Sequence, residues 1–112
     1  MKIPIKDFSK KAKLVKSDDR YFVYDLEMED LVVSMTILHP KKETRGHSHE
    51  DAEEVYFFLE GNGEIQVGEE RFKVKKGDLI TIPKGNFHKV FNTGDKELIF
   101  LSVFEKYEGR GK

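Results

Sequence analysis

The chain has 112 residues, the size of one domain, and dividing it would leave two cores too small to hold together without staples. It has no cysteine, which excludes disulfides, thiolate nucleophiles, zinc ribbons and iron–sulfur clusters, so any bound metal must be held by His, Asp or Glu. Twenty basic residues against twenty-one acidic ones leave a net charge of −1, and no basic field exists to gather nucleic acid or an anionic membrane.

The N-terminus, from Met1, has no apolar run of signal-peptide length, and no later segment approaches the roughly 20 apolar residues of a membrane span, so a cytoplasmic protein is expected. Residues 8–15 are the best helical candidate, short and Lys-rich. Beyond them the apolar residues come in short blocks rich in Val, Ile, Phe, Tyr and Thr, which predict strands at 21–28, 31–38, 55–59, 79–82 and 98–104. Turn clusters separate them: Gly61-Asn62-Gly63, Lys76-Gly77-Asp78, Pro83-Lys84-Gly85-Asn86 and Asn92-Thr93-Gly94-Asp95. Residues 64–67 and 70–75 alternate apolar with polar around Gly68-Glu69, the pattern of a hairpin with a two-residue type II′ turn and one wet face. The blocks at 55–59 and 98–101 are apolar on both faces, so each side needs cover, and a partner subunit is one source of it. Residues 105–112 read as a polar tail. The whole is the punctuation of an all-β sandwich or barrel in a single domain, 1–112.

Three of the four histidines fall in two clusters. His47 and His49 are two apart, which on a strand turns both imidazoles to one face. Glu54 opens the next apolar block and shares a face with Tyr56 and Phe58; a carboxylate in that row needs a partner, and a cation held with two histidines supplies one. Glu53 competes with Glu54 for that role, although the spacing to Gly61 favours Glu54. His88 follows the Pro83–Asn86 turn at the start of a strand through Val90. His39, before Pro40, reads as a loop residue.

Gly77, Pro83, Gly85, His88 and Asn92 form G-x5-P-x-G-x2-H-x3-N, and His47, His49, Glu54 and Gly61 form H-x-H-x4-E-x6-G. These resemble the second and first motifs of the cupin superfamily, over roughly residues 31–104. Lys41 departs from the pattern, standing where the family usually has a glycine ahead of the first ligand. The resemblance implies a double-stranded antiparallel β-barrel, jelly-roll-like, with His47, His49, Glu54 and His88 directed at its centre as metal ligands, and commonly a homodimer. Three imidazoles and a carboxylate suit one divalent ion; Mn, Fe or Ni is favoured because octahedral geometry leaves two open positions, whereas Zn would be nearly closed and Co remains compatible. The opposing reading keeps the four residues as a hydrogen-bonded core without an ion.

Around this group, Tyr56 and Arg45 are candidate substrate contacts, the guanidinium as an anchor for a carboxylate or phosphate. Their plainer roles are core packing and a surface rim. The family implies a metal-dependent enzyme on a small oxygen-rich molecule, of dioxygenase, decarboxylase or sugar isomerase type, or a metal-binding or small-molecule-binding module without turnover. Many short members resemble the cupin part of phosphomannose isomerases. The excess of Lys and Glu, with 37 % charged residues, further predicts a thermophilic source.

Overall fold

The computed structural model describes residues 1–107. A 3-10 turn, Ile5–Asp7, and one helical turn, α1 (Phe8–Lys11), lead into nine strands: β1 (Lys13–Ser17), β2 (Tyr21–Glu27), β3 (Leu31–Leu38), β4 (Glu54–Glu60), β5 (Asn62–Val67), β6 (Glu70–Lys75), β7 (Leu79–Ile82), β8 (His88–Phe91) and β9 (Leu98–Glu105). The predicted strand blocks all appear within a residue or two at their ends, whereas 8–15 divides: Ala12 turns extended at ψ 167° and the chain becomes β1. No local pattern marks that switch; β1 forms because it finds the edge of β2. The expected tail at 105–112 begins too early, since Glu105 pairs with Leu31 as the last residue of β9; positions 108–112 lie outside the described residues.

All pairings are antiparallel and form two sheets, β1-β2-β3-β9-β4-β7 and β6-β5-β8. These remain separate ladders facing each other as a jelly-roll sandwich rather than one closed barrel. The hairpin at β5–β6 pairs Val67 with Glu70, and Gly68 takes φ +60° at the first turn position, as a type II′ turn requires. Gly61 has φ +90°, and a Cβ there would lie 2.6 Å from the Glu97 carbonyl oxygen, so this motif glycine is fixed by backbone crowding. Asn92 is likewise structural: its buried amide donates to the Leu38 and Lys96 carbonyls at 2.9 and 2.8 Å and accepts from Gly94 N at 3.0 Å.

Alternation along the strands sends one side chain in two to the core, where Leu38, Phe58, Ile65 and Leu98 are fully buried. On the other face of the large sheet, Val55, Phe57, Leu79, Val103 and Leu31 remain more than a third exposed. Val55 pairs with Val103 and Phe57 with Leu79, so these form one apolar strip. Among the described residues no helix is long and apolar enough to cross a membrane.

Candidate metal centre

The four predicted ligands arrive from three places. His47 and His88 are joined by a reciprocal backbone pair, His47 N to His88 O at 3.1 Å and His88 N to His47 O at 2.9 Å, which extends the small sheet beyond β8. His49 follows two residues on, its carbonyl held by Gly85 N at 2.6 Å. Glu54 opens β4 between Ile82 of β7 and Phe104 of β9, facing inward from the opposite sheet.

One donor atom from each of His47, His49, Glu54 and His88 falls within 4.8 Å of the others. Glu54 Oε1 lies 2.5 Å from His49 Nε2, 3.4 Å from His88 Nε2 and 3.8 Å from His47 Nε2. An ion about 2.1 Å from each ligand needs donor separations of about 3 to 4 Å, close to this set. The chemistry of the donors agrees with the spacing. His49 Nε2 and His88 Nε2 are buried and have no hydrogen-bond partner, so their contacts with the carboxylate are close but out of line. His88 Nδ1 contacts the Asn86 carbonyl oxygen at 3.0 Å; since a carbonyl only accepts, Nδ1 carries a proton, and in the neutral ring that leaves the Nε2 lone pair on the side of Glu54.

Protonation favours ligation as well. Burial pushes the Glu54 carboxyl up, but the neighbouring His47, His88 and His49 imidazoles outweigh it and hold its pKa down at about 2. Burial, helped by repulsion from His47 and His88, lowers the His49 pKa against the attraction of Glu54, so its imidazole is neutral near pH 7. A neutral nitrogen beside an ionised carboxylate is the state a cation requires. The four residues can hold a divalent metal.

A cavity of about 180 Å³ opens beside His47, Glu54 and His88. Tyr56 is buried on its wall, edge-on to His88 at 5.8 Å and stacked on Phe100 at 5.2 Å, so packing and cavity lining coincide. Arg45 is exposed at the rim of the same cavity. Glu53 is exposed on the outer side of β4, beside Val55 and Thr81 in an external groove, and is not part of the group. His39 contacts Glu97 at 2.9 Å and stands edge-on to Phe22, away from the cavity.

Sequence reasoning missed several cavity residues. Ser34, Thr36 and Ser102 line it from β3 and β9; their signal was a polar residue at every second position of an otherwise apolar block. Tyr107, assigned to the tail, packs on His49 at 4.2 Å and on Phe104 at 5.6 Å and also lines the cavity. Lys16 of β1 lines it too, and no periodicity pointed there.

Comparison with known proteins agrees with this architecture. A glucose-6-phosphate isomerase of Thermococcus litoralis is 37% identical over 111 residues, covering 82% of this chain and 58% of its own length; the chain thus spans little more than half of that relative. A solved Thermus thermophilus protein superposes with a TM-score of 0.79 at 23% identity, over 92% of this chain and 94% of that one. Bacillus subtilis oxalate decarboxylase, a protein with Mn(II) centres, superposes with a TM-score of 0.78 at 20% identity, over 88% of this chain and 29% of its own. The cupin domain profile matches residues 34–104, which span both histidine clusters, the carboxylate between them and the strands that carry them, and the chain therefore belongs to the cupin family.

Proposed function

We propose that the chain is a single-domain, metal-dependent cupin enzyme binding one divalent ion through His47, His49, Glu54 and His88 and acting on a small oxygen-rich molecule. The observation that carries this reading is the pair of buried, unpartnered imidazole nitrogens aimed at an ionised carboxylate. Without a cation these nitrogens would each leave a desolvated lone pair unmatched, at about 1–3 kcal/mol apiece. Four protein ligands leave two octahedral positions open, so Mn, Fe or Ni suits the site better than Zn. When bound, such an ion supplies Lewis acidity toward a substrate oxygen. Tyr56 and the Ser34, Thr36 and Ser102 hydroxyls shape and orient what enters, and Arg45 stands at the rim.

Among reaction classes, an isomerase of a small sugar derivative draws support from the Thermococcus litoralis relative, and a decarboxylase or dioxygenase uses the same open metal positions. A binder without turnover is the second reading, favoured by the smallness of the cavity. The strip of Leu31, Val55, Phe57, Leu79 and Val103 is the face we assign to a second copy of the chain, giving a homodimer; light scattering that finds only monomer would remove that assignment.

The central test is metal content of protein purified without chelator. Near one Mn, Fe or Ni per chain is expected, with His49→Ala losing most of it and the metal-dependent rise in Tm. Unchanged occupancy in that variant would refute the ligand set. Isomer formation and oxygen uptake, screened on the Mn, Fe and Ni forms, separate enzyme from binder.

A further inference from the structure

Lys16 reaches the cavity because β1 carries a bulge. Lys13 pairs with Asp25 and Leu14 with Tyr24, but the next residue of β2, Val23, pairs with Lys16 rather than Val15. Regular pairing would set Val15 opposite Val23 and Lys16 opposite Phe22. Tyr21, Val23 and Asp25 are the buried, inward positions of β2, so the extra residue exchanges the two side chains. Val15 is left 38% exposed, while Lys16 is half-buried and lines the cavity beside Val23.

The exchange runs against the hydrophobic effect at Val15. A valine gives up cover so that a lysine can be turned to the inner face. Bulges of this kind re-aim side chains beside binding sites. The second cation, Arg45, comes from the opposite direction, two residues before His47 at the same cavity. Lys16 and Arg45 thus line a cavity whose one lining carboxylate among the described residues is Glu54, itself a member of the metal-binding group, so the cavity wall is rich in positive charge.

Resting on the metal-cupin reading above, we propose that Lys16 and Arg45 form an anion clamp, so that the ligand is a short molecule with an oxyanion at one end and metal-binding oxygens at the other. The cavity of about 180 Å³ is small, which suits a short ligand. A carboxylate and a phosphate are both matched by an ammonium and a guanidinium.

The experiment uses the full chain loaded with Mn(II), with inorganic phosphate, malonate and glycerol as calorimetric probes. Wild type is expected to bind phosphate or malonate but not glycerol; the tighter anion identifies the source of the oxyanion. Lys16→Met should weaken anion binding at least tenfold and Lys16→Arg by less than threefold, with Mn(II) content unchanged. A second variant guards against misfolding: Val15→Lys combined with Lys16→Val keeps composition and charge, returns an apolar side chain to the inner face, and should keep a cooperative melt and wild-type Mn(II) content while losing anion binding. Protein with one Mn(II) per chain that ignores both anions, or binds them equally well after Lys16→Met, overturns the clamp and leaves the metal reading intact. Protein that holds no metal yet binds phosphate through Lys16 overturns the metal reading and keeps the clamp.

Discussion

Along the same strands, the inward positions change from apolar to polar within a few residues. At one end Leu38 pairs with Leu98, and with Phe58, Ile65 and Val90 they are at most 1% exposed. At the other end Ser34 pairs with Ser102, Ser102 with Tyr56, and Glu54 and His88 close the group. Pleat, pairing and burial are alike at both ends; only the side chains differ. The closed end is packed with apolar side chains, the buried Asn92 amide beside Leu38 has its hydrogen bonds made, and this end contributes stability mainly through packing. The open end keeps two buried imidazole nitrogens, on His49 and His88, that no protein group satisfies, the arrangement a ligand completes.

If that division holds, the largest effect of a single substitution lies at the closed end. Phe58→Ala should cost about 3–5 kcal/mol in chemical denaturation, whereas Ser102→Ala at the open end should cost less than about 1 kcal/mol. Comparable losses at the two sites would erase the distinction.

The open end should dominate acid unfolding of the metal-free protein. Glu54 has a folded pKa of about 2, below its ordinary 4.5, so its stabilisation is complete above 4.5 and lost as pH falls toward 2. At ~1.4 kcal/mol per pKa unit this is on the order of 3 kcal/mol. The His49 pKa is lowered too, so its share is present above pH 6.5 and begins to be lost below it, in the same direction. Urea midpoints measured from pH 7 to 2 should therefore fall in two stages, the lower one missing in Glu54→Gln. A flat profile in wild type would show that these groups are not coupled as the structure has them.

The smallest effect sits in the loop before the histidines. Lys41 has φ +65°, the one non-glycine residue with positive φ among the described residues, so it keeps the left-handed turn that glycine usually makes at this motif position. Lys41→Val should cost about 1–2 kcal/mol, because a β-branched side chain tolerates that region poorly, while Lys41→Gly should stay within about 0.5 kcal/mol. Equal thermal shifts for the two would mean that the turn is not under this constraint.

The all-β character, the β5–β6 hairpin and the four convergent side chains were legible because each rests on local chemistry: period-two alternation, turn glycines, and ligand types at fixed intervals. Glu53 and Glu54 differ in space, where Glu53 is exposed and only Glu54 falls within reach of the histidines. Tyr107 and Lys16 were illegible for different reasons. Tyr107 has no apolar block around it, and its packing on His49 depends on where β9 ends. Lys16 lies in a segment whose strand exists only by pairing with β2.

By itself, the sequence determined which residues alternate, where the chain must turn and which side chains can ligate, since these follow from neighbours a few positions apart. The tertiary structure decided what long-range pairing alone can decide: that the sheets stay open as a sandwich, that one bulge turns Lys16 rather than Val15 inward, and that unmatched nitrogens meet at a carboxylate. Register between strands distant in sequence is set by the summed burial and hydrogen bonding of the whole sheet, and no local window contains that sum.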